Sequence, residues 1–367
     1  MKKKIVIASV LKPVDDVRAF WKFSQSIAKT NKYEVNIIGN RGKKEINEKN
    51  ITSHSFPVNA GNWISRWIIR ERILFKILKL KPDLLVISTH ELINIAFIVK
   101  LIIRCKVVYD VQENYASNLR YINPNVFRKA LASLVQIKEH FSRTFISEYW
   151  LAEECYKDEL RFVRDRYRII ENKAGYHSPY DVKLNPIKMI FSGTVSTYGG
   201  VEKCLKLFYK IHEEEPETTL HIIGQVHDPN LLQWLVHQQS ANENIQLTVS
   251  EKPVPHDDIL FAISKANLGV ISYMPNPVNR DKVPTKLYEY SRYRIPYVVQ
   301  ENTRWSEKGE ELGGAIPMDF MNIQAQKIID QHRNSEKLFT DSYPANETWE
   351  YESQQLLISI DQLIDQD

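Results

Sequence analysis

The segment from Asn279 to Tyr290 carries the residue types best suited to hold a nucleoside diphosphate. Pro284 fits the first turn of a helix. This places Thr285 and Lys286 at a helix N-terminus, where free N–H groups and a cation favour phosphate. Glu289 follows one turn later on the same face, and its carboxylate can accept hydrogen bonds from ribose hydroxyls. An exposed ion pair between Lys286 and Glu289, worth about 0.2–0.5 kcal/mol, is the alternative.

Two glycines mark places where the backbone can approach a phosphate. Gly193 and Thr194 follow one predicted strand, and Gly224 follows another. Small residues at a strand-to-helix turn allow N–H groups to reach an anion. The stretch Ser192–Gly200 has the spacing of neither a P-loop nor G-x-G-x-x-G, so an ordinary turn is the alternative.

Strand-like and helix-like segments alternate along the chain, which is typical of parallel sheets with helices on both faces. Short β-branched runs predict strands at residues 4–10, 33–38, 84–87, 106–109, 144–146, 188–191, 219–223, 245–249, 268–271 and 297–300. Apolar residues at helical spacing predict helices at 16–29, 63–80, 92–104, 125–140, 201–212, 230–239, 257–266, 285–292 and 349–364.

The alternation pauses in a segment with two prolines and few apolar residues, which is typical of a linker. We therefore predict two doubly wound α/β domains, residues 1–172 and 188–345, joined by a linker at 173–187. Open parallel sheets bind ligands at the carboxyl ends of their strands, so a cleft between two such edges is the expected site.

The composition excludes several classes of protein. The chain has 367 residues, 43% of them hydrophobic and 26% charged, which fits a globular protein of about two domains. It contains no run of 18 apolar residues and no signal-peptide core. Its three isolated cysteines argue against a disulfide framework or a zinc site. We expect a cytoplasmic protein.

The charge is unevenly distributed between the two halves. Residues 1–176 hold 32 Lys and Arg against 18 Asp and Glu, and the remainder holds 17 against 27. Such asymmetry indicates an anionic partner near the first half: a membrane, a phosphorylated acceptor or nucleic acid. Independent drift of the two domains is the alternative.

The segment Trp63–Lys81 concentrates this charge, with six cations against one acid. Trp63 and Trp67 lie one turn apart, and basic residues interleaved with apolar ones are typical of an interfacial helix. We expect Trp63, Arg66, Trp67 and Arg70 to contact an anionic membrane. The alternative is a packed helix with a basic outer face.

The segment VPTKLYEYSRYRIPYVV resembles the P-x-K-L-x-E-Y signature of the family 4 (group 1) retaining glycosyltransferases, which have the GT-B fold. The likeness extends over nearly the whole chain and includes Met189–Gly200, Leu220–Gly224, Asp257–Tyr273, Trp349-Glu350, Val86–Leu92 (VISTHEL) and Val107–Tyr115 (VVYDVQENY). It implies that a C-terminal helix, residues 346–367, packs back on the N-terminal domain.

The resemblance also implies roles for individual residues. Glu289 would hold the ribose and Asp281, where the family has Glu, would contact the transferred sugar. The implied donor-binding set is Gly193, Thr194, Gly224, Arg280, Pro284, Thr285, Lys286, Leu287 and Glu289. The family's cations in or after the first C-terminal loop are missing, so Lys286, with Arg280 or Lys282, would meet the diphosphate.

In the N-terminal half the resemblance implies catalytic positions at Gln112 and Glu113 and acceptor contacts at His90 and Asp110. Gln112 stands where many relatives have His. A glutamine can donate a hydrogen bond but cannot carry a proton near neutral pH. A lone histidine after a strand is more often structural than catalytic, so a structural His90 is the alternative.

These implied roles describe a retaining, metal-independent glycosyltransferase without a cofactor, in which the leaving phosphate helps to deprotonate the acceptor. The adjacent pairs Asp15-Asp16 and Asp257-Asp258 fit helix starts, and we expect no metal. The acceptor would be a glycan or a lipid-linked sugar in bacterial surface polysaccharide synthesis, at the inner face of the membrane, with no nucleic acid involved. The alternatives are a nucleotide-sugar 2-epimerase of the same fold and a non-catalytic protein that binds membrane or nucleic acid.

Overall fold

The computed structural model describes residues 2–42, 46–57, 63–122, 124–175, 184–340 and 342–365, without the side chains of Trp63 and Ile64. The chain divides into two compact units, residues 1–172 with 349–367, and residues 173–348. Each contains a mostly parallel sheet covered by helices, so the predicted α/β class is confirmed. Residues 176–183 of the predicted linker lie outside the described part.

The first unit contains an eight-stranded sheet with the order β3-β4-β2-β1-β5-β6-β7-β8, parallel except for the β3-β4 pair. The strand order reverses between β1 and β5, because the chain returns to the other side of β1 after β4. Its strands are β1 Lys3–Pro13, β2 Tyr33–Asn40, β3 Asn47–Glu48, β4 Ile51–Phe56, β5 Leu84–Ile87, β6 Lys106–Val111, β7 Glu148–Leu151 and β8 Tyr167–Ile169.

Apolar residues from both faces of this sheet form two cores. One core lies under α2, α3 and α5. The other lies under the first helical segments and the terminal helix, whose Trp349, Leu356 and Ile360 are buried there. The helices are a π-helical segment Val17–Ser24, α1 Gln25–Lys29, α2 Trp63–Leu80, a 3-10 turn His90–Leu92, α3 Ile93–Ile103, α4 Tyr115–Tyr121, α5 Val126–Ser142, α6 Tyr156–Glu159 and, closing the chain, α13 Trp349–Asp365.

The second unit contains a parallel six-stranded sheet with the order β11-β10-β9-β12-β13-β14. Its strands are β9 Lys188–Val195, β10 Thr219–Val226, β11 Ile245–Ser250, β12 Leu268–Ile271, β13 Tyr297–Gln300 and β14 Ala315–Met318. Its helices are α7 Val201–Glu214, α8 Pro229–Ala241, α9 His256–Ile263, α10 Thr285–Arg292, α11 Arg304–Leu312, α12 Ala325–Arg333 and the 3-10 turns Ser335–Leu338 and Ala345–Glu347. The order reverses between β9 and β12.

The strand predicted at 144–146 is wrong. Backbone N–H groups of residues 143–146 donate to the carbonyls of residues 140–142, so this stretch is a turn that ends α5, and β7 begins only at Glu148. β9 is also longer than predicted and contains both Gly193 and Thr194. Among the described residues, no helix combines the length and apolar content needed to cross a bilayer.

Candidate functional site

Two glycines meet near the carboxyl ends of β9 and β10, and β9 borders the reversal point of the second sheet. Gly193 on β9 pairs with Gly224 on β10. Both have positive φ, and a Cβ on Gly224 would lie 1.6 Å from the carbonyl oxygen of Gly193. Only glycine fits Gly224, because this separation is below any non-bonded contact. At this point of the carboxyl edge the backbones of β9 and β10 therefore approach each other with no side chain between them.

α10 is fixed beside this edge by buried contacts. The hydroxyls of Tyr290 and Ser192 lie 3.0 Å apart, and Leu287 is fully buried. The ring of Tyr290 covers Gly269, where a Cβ would lie 2.6 Å from the ring. The helix that carries the predicted phosphate and ribose contacts is thus packed directly on β9 and β12.

Lys286 is a buried cation above Gly193. The residue is 8% exposed, and a Cβ on Gly193 would lie 3.0 Å from the Cε of Lys286. The ammonium group donates to the hydroxyl of Tyr273 at 3.0 Å and lies 4.7 Å from the ring centroid of Phe191. Among the described residues it forms no ion pair. A buried ammonium without a carboxylate is costly, and an anionic ligand would supply the missing charge.

Glu289 lies on the same buried helix and is 7% exposed. Its Oε1 is 4.0 Å from Nε2 of His256, the first residue of α9. This histidine was missed in the sequence, because it precedes the first apolar residue of the predicted helix at 257–266. The Lys286 ammonium and the Glu289 carboxylate are not joined as an ion pair, so the exposed-pair alternative for them is wrong.

The remaining donor-side residues lie closer to solvent. Asp281 and Arg280 pair with each other at 3.2 Å, and their side chains are 57% and 66% exposed. Thr194 is exposed, and Pro284 and Thr285 are half-buried at the start of α10. No contact joins Asp281 or Arg280 to Lys286 or Glu289 within the described chain.

The loop before α10 is held by its own polar groups. The amide of Asn276 donates to Oδ1 of Asn279, and Oδ1 of Asn276 accepts from the amide of Val278, both at 2.8 Å. The indole of Trp305 donates to the carbonyl of Lys282 at 2.7 Å. These bonds fix the position from which Asp281 projects.

In the first unit, Asp110 is the centre of a buried network. Nε and Nη2 of Arg18 donate to its Oδ1 at 3.0 and 2.7 Å, and Nε2 of Gln112 donates to Oδ2 at 2.7 Å. Asp110 is 1% exposed and Arg18 is 3% exposed. Asp110 therefore orients the side chain of Gln112 through this hydrogen bond, and both of its carboxylate oxygens already accept hydrogen bonds from Arg18 or Gln112.

Glu113 and His90 lie at the carboxyl edge of the first sheet. Oε2 of Glu113 accepts from Asn118 at 3.0 Å. The ring of His90 packs on Tyr115 with centroids 4.6 Å apart. Burial first, and then the cations Lys138, Arg66 and Arg70, lowers the pKa of His90 to about 4.

The predicted membrane residues on α2 have different environments. Arg66 is ion-paired with Glu91. Trp67 is 56% exposed, whereas Arg70 is half-buried and makes no ion pair among the described residues. The side chain of Trp63 lies outside the described part. Nowhere in the described ranges do three His, Cys, Asp or Glu side chains gather as a metal site would require.

No family model matches this sequence, and no curated protein sequence matches it. Solved structures match over its full length. A sucrose-phosphate synthase from Thermosynechococcus elongatus superposes with a TM-score of 0.70 at 11% identity over 100% of both chains. The catalytic domain of starch synthase IV from Arabidopsis thaliana, bound to ADP and acarbose, gives 0.65 at 10% identity over 100% of both chains. A protein described as a UDP-N-acetylglucosamine 2-epimerase from Listeria monocytogenes gives 0.62 at 12% identity, over 100% of this chain and 98% of that one.

The chain has the GT-B fold. Identities near 10% establish the fold alone, so membership of glycosyltransferase family 4 stays a prediction. Three residues contact predicted site residues without having been found in the sequence of this GT-B chain. Arg18 contacts Asp110 in the first unit, and Tyr273 and His256 contact Lys286 and Glu289 in the second. Each makes its contact across a long sequence separation or from a position with no distinctive local pattern, so residue type and spacing gave no signal.

Proposed function

We propose that this protein is a glycosyltransferase that takes a sugar from a nucleoside-diphosphate donor. The observation that carries the proposal is the buried, unpaired ammonium of Lys286 above Gly193, one turn before the buried carboxylate of Glu289. A buried cation in the first turn of a helix fits a diphosphate, and a carboxylate one turn further along the helix fits a ribose diol. The starch synthase of the same fold was solved with ADP.

Each residue then has a defined task. Lys286 and the N–H groups at the start of α10 stabilise the negative charge that grows on the leaving diphosphate. Glu289 orients the nucleoside through its ribose. We extend the proposal to Asp281, which would contact the transferred sugar, and to Gln112 and Glu113 on the acceptor side. Retention of configuration, independence of metal and a role in surface polysaccharide synthesis belong to the same proposal.

A thermal-shift screen with UDP-, GDP-, ADP- and dTDP-sugars tests donor binding. At one hundred times its Kd, a donor stabilises the folded state by about 2.7 kcal/mol. This corresponds to roughly 5–10 °C for a unit of this size. Glu289→Gln should lose most of the shift, whereas Glu310→Gln, an exposed carboxylate on α11, should keep it. If none of the nucleotide sugars raises the Tm of the wild-type protein, the proposal is contradicted.

The second candidate is a nucleotide-sugar 2-epimerase. Two observations favour keeping it: the Listeria protein shares the fold, and His256 supplies a titratable group 4.0 Å from Glu289. Mass spectrometry and NMR of the donor that the screen identifies separate the two. A transferase leaves the sugar configuration unchanged and needs an acceptor to turn over. An epimerase converts the nucleotide sugar to its C2 epimer without any acceptor.

We also propose that the first unit attaches to an anionic membrane, through a surface larger than α2 alone. α5 presents a continuous exposed apolar stripe formed by Val126, Phe127, Leu131, Leu134, Ile137 and Phe141. The neighbouring helix α3 adds Leu101 and Ile102, which are 64% and 63% exposed. We call these residues, with Trp67 and Phe75 of α2, the three-helix face.

The charge on these helices selects the partner. α2, α3 and α5 carry nine Lys and Arg residues and two acids. Arg66, Arg70 and Lys138 face the turn after β5, whereas Arg72, Lys79 and Lys129 are exposed. One of the acids, Glu139, is 3% exposed, and burial raises its pKa to about 8. A surface that is both apolar and cationic is matched by the interface of an anionic bilayer, whereas a protein partner of ordinary composition would leave the cations unpaired.

Vesicle co-sedimentation tests this proposal. Wild type should bind vesicles containing phosphatidylserine and lose most of the binding in high salt. Phe127→Ser/Leu134→Ser should reduce binding at least about ten-fold, because each buried large apolar side chain contributes about 1.5–3 kcal/mol. Val236→Ser, which changes an exposed apolar residue on α8 outside the three-helix face, is the control. Equal binding by wild type and the double variant would contradict the three-helix face.

A further inference from the structure

A cluster of cations surrounds the turn that follows β5 in the first unit. This turn lies beside β1, where the strand order of the first sheet reverses, and such a position is the usual ligand edge of an open α/β sheet. Lys138 of α5 reaches it and donates to the backbone carbonyl of Glu91 at 3.3 Å. Arg66 of α2 reaches it through its ion pair with the Glu91 carboxylate.

The cluster holds more positive charge than its own acids balance. Glu91 is ion-paired with Arg66, and neither Arg70 nor Lys138 forms an ion pair among the described residues. Burial first, and then repulsion by Arg70, lowers the pKa of the Lys138 ammonium to about 8, although Glu91 and Glu139 act in the opposite direction. Burial first, and then Lys138, Arg66 and Arg70, also lowers the pKa of His90.

Several polar atoms at this turn are buried and have no hydrogen-bond partner in the described chain. They are Nε of Arg70, Oγ1 of Thr89, Nδ1 of His90 and Oε2 of Glu91. Thr89 is only 2% exposed. Buried polar groups are nearly always paired, and four unpaired atoms on one turn and its neighbouring helix indicate a missing polar ligand. Three of the four can donate to an anion, and the Glu91 oxygen can accept from a hydroxyl.

We propose that Arg70, Lys138, Thr89 and His90 form a binding site for a phosphate group carried by the acceptor. The phosphate supplies the negative charge that the cluster lacks and accepts hydrogen bonds from its free donors. A hydroxyl next to the phosphate would donate to Glu91. This inference rests on the proposed sugar transfer only in naming the ligand as the acceptor, because the site itself belongs to the first unit.

Calorimetric titration of the full chain with inorganic phosphate, against chloride at equal ionic strength, tests the site. Wild type should bind phosphate, and Arg70→Gln and Lys138→Gln should each weaken binding at least about ten-fold. Arg70→Lys keeps the charge and should bind phosphate more tightly than Arg70→Gln does. Such partial recovery would show that the loss in Arg70→Gln is not caused by misfolding. Arg72→Gln, an exposed arginine two residues away on α2, should bind as wild type does.

Lys286→Gln locates the phosphate. If this change abolishes phosphate binding while Arg70→Gln leaves it intact, the anion occupies the donor site and the proposal is overturned. The proposal is also overturned if the wild-type protein binds no phosphate. Displacement by dihexanoyl phosphatidic acid and by glucose 1-phosphate distinguishes a lipid phosphate from a free sugar phosphate as the source. Nucleotide-sugar binding should be equal in wild type and Arg70→Gln, so failure of donor binding and failure of this site are separate results.

Discussion

Replacing Lys286 with methionine separates a ligand-binding lysine from a structural one. The change removes the ammonium and keeps a side chain of similar length between Phe191 and Tyr273. The folded protein loses a charged hydrogen bond of about 1.5–3 kcal/mol to the Tyr273 hydroxyl, which lies 3.0 Å away. It also loses a cation–π contact of about 0.5–2 kcal/mol with Phe191, at 4.7 Å.

A third contribution opposes these two. Lys286 is 8% exposed, and holding an unpaired ammonium out of water costs several kcal/mol. Methionine removes that cost. Because the opposing contributions are similar in size, the free energy of unfolding should change by no more than about 1 kcal/mol. For a unit of this size, that is a shift in Tm of roughly 4 °C or less.

Ligand affinity should respond very differently. Loss of one ammonium–phosphate hydrogen bond costs about 1.5–3 kcal/mol, which weakens a nucleoside diphosphate about ten- to one-hundred-fold. The corresponding nucleoside has no phosphate and should lose less than about two-fold. Calorimetry with both ligands measures the difference, and Lys206→Met, an exposed lysine on α7, is the control. Equal losses for the two ligands, or a large fall in Tm, would show that Lys286 supports the structure instead.

Three further predictions concern the fold and its charges. Gly224→Ala should lower the free energy of unfolding by more than about 4 kcal/mol, because its Cβ would lie 1.6 Å from the Gly193 carbonyl oxygen; an unchanged Tm would contradict this. Asp110→Asn should cost about 3–5 kcal/mol, because it leaves the buried Arg18 without a counter-ion; urea unfolding measures this, and a cost under about 1 kcal/mol would count against it. Burial and neighbouring cations lower the pKa of His90 from 6.5 to about 4. Between these two pH values His90 is therefore protonated in the unfolded chain but not in the folded chain. The free energy of unfolding should therefore fall by about 2–3 kcal/mol between pH 6.5 and 4. His90→Gln should remove that part of the fall, and an identical pH dependence in the variant would refute the assignment.

The alternation of segments was enough to predict the fold, because buried parallel strands and their covering helices leave strong periodic patterns. The helices at Trp63–Leu80 and Thr285–Arg292 were predicted with the bounds observed. The misplaced strand at 144–146 shows the limit of such patterns. A short β-branched run can also end a helix, and hydrogen bonds back to α5 decide between the two.

The candidate site was predictable only where its residues are neighbours along the chain. Lys286 and Glu289 share one helix, so their spacing indicated a common face. Arg18 meets Asp110 across 92 positions, and His256 meets Glu289 from a different helix. Such contacts depend on how strands are ordered in a sheet, which local spacing does not encode. Burial of Lys286 was likewise invisible, because the sequence gives a lysine in a polar segment.

The helix α2, in the basic half of the chain, has three sides with different surroundings. Ile69, Ile73 and Ile77 face the core, Trp67 and Phe75 face solvent, and Arg66 and Arg70 face the turn after β5. A helix with these three sides would place the proposed phosphate site at the border of the three-helix face. An acceptor with a phosphate head and an apolar tail would bind the proposed phosphate site through its head and the three-helix face through its tail. A soluble glycan without phosphate would bind neither the apolar stripe nor the excess cations. The two proposals therefore converge on a lipid phosphate as the acceptor. If dihexanoyl phosphatidic acid binds at least about ten-fold more tightly than glucose 1-phosphate, the result would support this convergence. Equal affinities for the two ligands would indicate a soluble acceptor.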